Sequence, residues 1–468
     1  MHARTQHCTA CQERDRRIND LTAQVAELQA ELANAKKNSS NSSKPPSSDI
    51  VKPPKSTPPS SNGKSRKRGA QPGHPPHERP PFEASEVDEA IEYLFSRCPD
   101  CGGSVDPSDE LPRIVQQVEL IERPLQITEH RGLPCWCPHC QTTHYAPIDQ
   151  AVRRAGLIGP RLTVVIAYLK GACHCSFSTI RKFVRDVLGV TVSRGHLAKL
   201  CAKVSASLKA AYDALLALLP EQARLNVDET GHKDDGQRMW TWCFRAADFT
   251  LFKISPSRGS DVLLTVLGKE FNGVLGCDYF SAYRKYMSDC NVLVQFCLAH
   301  LIRDIKFLTT HPDPRNQAYG QRLLAAAREL FAVIHRRELL SPRRFAADLE
   351  DAGRAFGGCA ITRVPRTNEA QNLAERFRQH GDSYLRFLTT PDLEPTNNLA
   401  EQAIRFVVLD RVVTQGTRGE TGQRWLERIW TTVATCVQQG RQVFEFLQQS
   451  ITAHFTGQSA PALVANTS

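Results

Sequence analysis

The sequence predicts a multidomain α/β protein in which a mixed sheet flanked by helices is interrupted by an all-helical insertion. Three observations carry that prediction. Between about 221 and 283, three strand-like runs, a short apolar helix and a returning strand-like run follow one another. From 309 to 392 only helical runs remain, such as QRLLAAARELFAVIHRRELL. Ahead of both lie a heptad seam, a Pro/Ser-rich stretch, two cysteine pairs and a helical region, too varied a set for one core.

Charge and hydropathy narrow the partners. The chain of 468 residues carries 59 Lys and Arg against 49 Asp and Glu, a formal excess of +10, which suits a polyanion such as DNA through phosphate neutralisation. No apolar stretch approaches the ~18 residues of a membrane span, so no membrane partner is expected. The start MHARTQHC lacks the apolar core of a secretion signal. A cytoplasmic location is therefore expected, and the 16 cysteines read as thiols and metal ligands rather than a disulfide framework.

Taken in order, residues 1–37 are expected to form a coiled coil. Ile18, Leu21, Val25, Leu28 and Leu32 step by alternating threes and fours, flanked by Asp20, Glu27 and Glu31. Such a seam serves self-association into a homo-oligomer, or one amphipathic helix packing on its own chain. Residues 38–82 shift to Ser, Pro, Asn, Lys and Gly and read as a disordered basic linker, unable to bury enough apolar surface to offset chain entropy. Its cluster Lys64, Arg66, Lys67 and Arg68 is a candidate DNA-binding arm, or merely a solvated tether.

Residues 83–150 are expected to be a zinc-binding module. Cys98-x-x-Cys101 and Cys137-x-x-Cys140 each present two thiolates from a tight turn, and two such turns complete the tetrahedral set of a structural Zn²⁺ site. The intervening IVQQVELIERPLQITEHRGLPCW alternates like a pair of strands and would bring them together. Cys135 breaks that spacing, and Cys8-x-x-Cys11 has no second pair nearby. Residues 151–220 read as helices, with a turn at LGVTVS between 181–188 and a segment over 193–219 that Ser193 caps. Arg194, His196 and Lys199 near its start suit a helix-turn-helix that reads DNA, or an ordinary helical hairpin.

The chemistry is expected over 221–308 and 393–456. In ARLNVDET, Leu225 and Val227 alternate with Asn226 and Asp228, which places Asp228 on the opposite face near the strand's end. Asp278 closes the later strand NGVLGCD in the same way. Three antiparallel strands, a helix and a returning strand with acids on the first and last is the order of a ribonuclease-H-like sheet, in which those two strands are neighbours. After the insertion, TNNLAEQAIRFVVLDRV starts a helix that Asn397 or Asn398 can cap, with Glu401 near its start. Three converging carboxylates with open positions suit two Mg²⁺ or Mn²⁺ ions about 4 Å apart. Residues 457–468 read as a disordered tail.

The flanks of these acids carry a family resemblance. VDETG at 227–231, GCDYFSAY at 276–283, CLAHLIRDIKF at 297–307 and NNLAEQAIR at 397–405 resemble, in order, the catalytic blocks of the insertion sequence 66 family of bacterial transposases. The NSSKPPSSD and RGAQPGHPPHERP segments and the four-cysteine module are similar to that family's amino-terminal half. The resemblance implies a DNA transposase of the Asp-Asp-Glu type with Asp228, Asp278 and Glu401 as catalytic acids. It also implies as partners the element's terminal inverted repeats, target DNA and accessory proteins of the same element, with nucleoid association. Thr396 and Gln402 depart from the family's usual Asp and Arg, and Ile302-Arg303-Asp304 from its paired Arg. A catalytically inactive DNA-binding regulator and a nuclease that cuts without joining are the rival functions.

Three neighbours complete the set. Arg405, one turn beyond Glu401, can hold a phosphate or orient the carboxylate. Cys297-x-x-His300 can bind a metal or touch a DNA end, but without a second pair nearby packing and hydrogen bonding are the expected role. Trp425 and Trp430 can stack on an unpaired base, with core packing the favoured reading.

Overall fold

The computed structural model describes residues 9–37, 80–93, 96, 97, 99–104, 114–118, 120, 121 and 124–464. Cys8, Cys98, Lys64, Arg66, Lys67, Arg68 and nearly all of the expected linker lie outside the described residues. The chain divides into two compact units, Met1–Pro53 with His130–Ser468, and Pro54–Glu129.

In the smaller unit a 3-10 turn at Ala84–Glu86 is closed by the Glu86 carboxylate, which accepts from Glu83 N–H at 3.0 Å. The Gln116 amide brackets the Phe82 backbone, accepting from its N–H at 2.7 Å and donating to its carbonyl at 2.9 Å. The expected pair of strands between the cysteine pairs is not formed among the described residues, where Ile114, Val115, Val118 and Ile127 are exposed. Alternation supplies an apolar face, but a two-stranded ribbon without a second layer has nothing to bury it against.

The larger unit begins with helix α1 (Thr9–Ala35), whose seam residues Ile18, Leu21, Val25, Leu28 and Leu32 are all exposed in this chain. Its end is docked, through Asn34 Nδ2 donating to Glu369 Oε1 at 3.1 Å and Lys37 Nζ 4.1 Å over the Phe307 ring. Strands β1 (Pro134–Cys137) and β2 (Thr142–Tyr145) form an antiparallel hairpin around the second cysteine pair. Helices α2 (Gln150–Ala155), α3 (Pro160–Gly171), α4 (Phe177–Asp186), α5 (Arg194–Ser207) and α6 (Lys209–Leu218) follow.

Helices α3, α4 and α5 share a small core of their own, including Ile166, Ile180, Val184, Leu197 and Leu200. Ser176 and Ser193 cap α4 and α5 through hydroxyls that accept Thr179 N–H at 3.0 Å and His196 N–H at 3.1 Å. The expected segment over 193–219 is two helices, broken at Leu208. There the Ser207 hydroxyl donates back to the Val204 carbonyl at 2.8 Å, a local bond that competes with the helical ladder. The break lets Tyr212 reach the sheet, where its hydroxyl donates to Phe252 O at 3.0 Å.

Five strands make the sheet: β3 (Arg224–Asp234), β4 (Gln237–Arg245), β5 (Thr250–Ser255), β6 (Val274–Cys277) and β7 (Leu293–Phe296), in spatial order β5-β4-β3-β6-β7. The first three are antiparallel; β6 and β7 run parallel to β3. Asp235 and Gly236, both at positive φ, supply the turn between β3 and β4. Helices α7 (Ser260–Leu267) and α8 (Ser281–Cys290) connect β5 to β6 and β6 to β7, and α9 (Leu298–Thr309) leaves β7. The insertion is helical, α10 (Pro314–His335), α11 (Pro342–Ile361) and α12 (Asn368–Leu385), before α13 (Asn398–Thr414), α14 (Glu420–Gln438) and α15 (Val443–Thr456).

Both sheet edges are closed by helical segments. On β5, the N–H groups of Thr250, Phe252 and Ile254 donate to the side chains of Thr435 (3.2 Å), Thr431 (3.0 Å) and Glu427 (2.7 Å) of α14. Two strand residues advance about 6.6 Å and four helix residues about 6 Å, so the two rows stay in step. On β7, Gln295 donates to Tyr384 O at 3.0 Å and accepts from Phe387 N–H at 2.9 Å, and Arg386 Nε donates to Val294 O at 3.2 Å. The insertion thus blunts an edge that would otherwise invite another strand.

The expected disordered tail is instead anchored over its described part. Leu463 is buried, Gln439 donates to its carbonyl at 2.8 Å and Arg441 donates to Ala462 O at 2.9 Å. No helix among the described residues is long and apolar enough to cross a membrane.

Candidate active site

Three elements meet at the carboxyl ends of β3 and β6. Their parallel register pairs Asn226 with Gly276, so Asp228 and Asp278 leave neighbouring strands two residues further on. Gly276 has no side chain because a Cβ there would sit 2.6 Å from Asn226 Nδ2. Each acid is anchored through one oxygen: Asp228 Oδ1 accepts Glu229 N–H at 3.0 Å, and Asp278 Oδ1 accepts Phe280 N–H at 2.9 Å.

Asn397 brings the third element. It occupies the N-cap position of α13, yet its side chain does not cap the helix as the sequence suggested. Instead its Nδ2 donates to Val227 O at 2.8 Å and its Oδ1 accepts Asn226 Nδ2 at 2.9 Å, clamping the start of α13 onto β3. Glu401 follows one turn later, beside His300 Nδ1 at 3.5 Å and an Arg303 nitrogen at 3.7 Å.

Electrostatics bind these groups together. The Asp228 carboxyl is held well above the usual range, first by burial and then by the negative charges of Glu229, Asp278 and Glu401. Asp278 is raised by burial, with Glu401 adding and Phe280 N–H, Arg258 and Arg303 opposing. Glu229 is pushed up to about 7 by burial and Asp278, against the pull of Arg258 and Tyr283. Its partners are close: Arg258 Nε at 2.9 Å and another Arg258 nitrogen at 2.7 Å, plus the Tyr283 hydroxyl. Arg258 is itself stacked 3.9 Å over the Phe280 ring.

Carboxylates withdrawn from water that raise one another lack positive charge, and a hard divalent cation is what such an oxygen donor set takes. The residues present therefore fit the expected Mg²⁺ or Mn²⁺. In this structure Glu401 Oε1 lies beside His300 Nδ1. The group among the described residues whose ligand atoms all lie within 4.8 Å of one another is Cys297, His300 and Glu401. His300 is neutral at ordinary pH, its pKa lowered to about 4 by burial and by Arg303.

Sequence reasoning did not single out Glu229, and Arg258 and the Asn397 clamp carried no signal at all. The only hint was two adjacent acids in VDETG, one of which must face the core in a strand. Cys297 and His300 were expected to pack and hydrogen-bond. The Cys297 sulfur does accept Asn397 N–H at 3.1 Å, but His300 Nδ1 makes no hydrogen bond. Arg405 is exposed and makes no ion pair with Glu401, whose neighbours are the Arg303 guanidinium and the His300 ring instead. Trp425 and Trp430 are core residues.

Outside the sheet, Cys137 and Cys140 sit on the exposed hairpin, where hydrogen bonding from Cys140 lowers the Cys137 pKa. Cys140 Sγ lies 3.3 Å from His144 Nε2. Cys101 is exposed in the other unit. On the helical region Arg181, Lys182, Arg194 and Lys199 are exposed along α4 and α5.

Residues 155–424 match the family model described as "Transposase IS66 family", and residues 6–80 match one described as "Family of unknown function (DUF6444)". The chain is also similar to the uncharacterized protein y4qI of Sinorhizobium fredii, 26% identical over 316 residues. That alignment covers 60% of this chain and 57% of the relative, so the chain spans a little over half the length of that protein.

Proposed function

The chain belongs to the insertion sequence 66 family of transposases, and on that premise we propose that it is a DNA transposase of the Asp-Asp-Glu type with a ribonuclease-H-like core. It binds the ends of an insertion sequence, cuts a strand and joins the freed end to target DNA. One observation carries this reading: the half-buried Asp228 carboxyl is raised by its withdrawal from water and by the charges of Glu229, Asp278 and Glu401. That arrangement is costly in a protein with no cation to hold and useful in one that holds two.

Asp228, Asp278 and Glu401 would hold the pair of Mg²⁺ or Mn²⁺ ions. Bound there, such ions would supply Lewis acidity for nucleophilic attack on a phosphodiester. The chain's own groups do the positioning. Backbone N–H groups of Glu229 and Phe280 fix the two aspartates, leaving their second oxygens for metal. Arg258 balances Glu229, so that the cluster's fourth charge is spent inside the protein. Asn397 fixes the pivot from which Glu401 reaches the sheet. No covalent enzyme intermediate is required, and orientation of bound DNA supplies much of the rate.

The remaining regions fall into place as binding modules. The α4–α5 pair with Arg181, Lys182, Arg194 and Lys199 suits a duplex, and Lys64, Arg66, Lys67, Arg68 and Arg405 are proposed DNA contacts. Cys98, Cys101, Cys137 and Cys140 are proposed ligands of a structural zinc, and the exposed seam of α1 the self-association surface. A cytoplasmic, nucleoid-associated homo-oligomer, working with accessory proteins of its element, follows from this reading.

The test is strand transfer with Mg²⁺ and a labelled donor end. Joined products with the wild type and none with Asp228→Asn support the transposase. Tight end binding without cleavage supports an inactive regulator, and cleavage without joining a nuclease.

A further inference from the structure

Cys297 and His300 open α9, Glu401 lies in the first turns of α13, and the two helix starts are tied together. Leu298 N–H donates to Pro395 O at 2.9 Å, and Asn397 N–H donates to Cys297 Sγ at 3.1 Å. The sulfur, a ring nitrogen and a carboxylate oxygen of the three residues all lie within 4.8 Å of one another. His300 Nδ1 and Glu401 Oε1 face each other at 3.5 Å, both shut off from solvent and neither hydrogen-bonded. Stranding two such buried polar atoms side by side is unfavourable unless something positive joins them.

We propose that Cys297, His300 and Glu401 form a site for a borderline-soft divalent cation of the zinc class, and that Glu401 serves either this site or the Asp228–Asp278 cluster but not both. The second half rests on the transposase reading above; the first does not.

Donor chemistry separates the two stations. Thiolate, imidazole and one carboxylate suit Zn²⁺ or Co²⁺, whereas Mg²⁺ takes oxygen donors and keeps its waters. Tetrahedral zinc with bonds of about 2.0–2.3 Å holds its ligand atoms roughly 3.3–3.7 Å apart. The His300–Glu401 separation of 3.5 Å already meets that spacing, and the remaining pairs need only small side-chain movements. Burial pushes the Cys297 thiol up, but the N–H groups of Asn397, His300 and Ala299 oppose that shift from around its sulfur. On binding, the Cys297 thiol gives its proton to solvent and the sulfur takes the metal. Three protein ligands leave a fourth position open, and Arg303, 3.7 Å from Glu401, is the cation that zinc would displace from that carboxylate. With Glu401 held by zinc, the aspartate pair loses its third ligand, so zinc would inhibit Mg²⁺-dependent strand transfer.

The deciding measurement is Co²⁺ binding to the full chain by equilibrium dialysis and visible absorption, with millimolar Mg²⁺ present. The wild type is expected to bind one equivalent that Cys297→Ala and His300→Gln each lose, while Cys137→Ser with Cys140→Ser retains it. At least one of the two losing variants must show native circular dichroism, and His300→Gln is the milder change. Unchanged stoichiometry in a natively folded His300→Gln overturns the site. In the strand-transfer assay, the zinc concentration giving half inhibition is expected to rise at least tenfold in His300→Gln, whatever its uninhibited rate. An equal response in both proteins overturns the shared role of Glu401. A chain that binds Co²⁺ through these residues yet transfers no strand under any condition leaves the site standing and removes the transposase reading instead.

Discussion

Two cysteine-bearing places in this chain invite metal, and they are built in opposite ways. Cys137 and Cys140 sit on a hairpin of two four-residue strands whose side chains are mostly exposed. Cys297, with His300 and Glu401, lies where two helix starts are bolted to a five-stranded sheet, and its thiol is pushed up by burial. A metal in the first place can organise only its own neighbourhood, since little else holds that hairpin. A metal in the second enters a scaffold already fixed by hydrogen bonds, so it acts on charge rather than on folding. The lesson extends to Asp228 and Asp278, which are held by backbone N–H groups before any ion arrives.

The largest effect should come from the buried side. Asp228→Asn is expected to lower strand transfer on the order of a thousandfold or more, a loss typical when a group stabilising the transition state goes. It should also raise the melting temperature of the metal-free protein, because one of several mutually repelling buried charges is removed. Calorimetry in chelator checks this; a lower melting temperature would mean that Asp228 is held by something stabilising that the buried cluster does not show.

Next is the clamp. Asn397→Ala strands the buried Val227 O and the half-buried Asn226 amide, and is expected to cost roughly 2 kcal/mol in urea denaturation. Activity should fall with it as Glu401 loses its pivot. A cost below about 1 kcal/mol would show that α13 is held mainly by its apolar face.

On the exposed side, Cys140→Ser should lose about one equivalent of zinc and weaken DNA-end binding while leaving near-ultraviolet circular dichroism of the sheet unchanged. Full metal content in that variant would retire the hairpin as a metal site. If instead the sheet spectrum collapsed, the contrast between an isolated and a scaffolded metal place would be wrong.

The smallest effect concerns His232 on the buried face of β3, whose pKa is lowered to about 4 by burial and then Arg411. A depressed folded pKa means stability that is present above the ordinary histidine range and lost as pH falls from about 6.5 towards about 4. His232→Gln should flatten that part of the stability curve. Parallel curves for the two proteins would assign the acid sensitivity elsewhere.

Local chemistry was legible where a residue's role depends on its neighbours in sequence. Alternation around Asp228, the helix at Ser260–Leu267, the caps at Ser193 and the CxxC turn at Cys137 all come from spacing over two to four residues. Alternation misled between Cys101 and Cys137, because a period-two pattern promises a strand only if another layer exists to cover it. The end of the chain misled for the converse reason: Leu463 looks like part of a polar tail until Gln439 and Arg441 seize its backbone.

By itself the sequence determined which residues can do chemistry here, and in what order they come: two acids at strand ends, a third on a late helix, and thiols in pairs. Tertiary structure alone decided the rest. It chose Glu229 as the fourth buried charge, gave Arg258 to it, used Asn397 to bind a strand 170 residues away, and turned Glu401 toward Cys297 and His300. The reason is physical. Periodicity reports the face on which a side chain lies, whereas burial of charge and the meeting of donors depend on which elements pack together, and that is settled by contacts far apart along the chain.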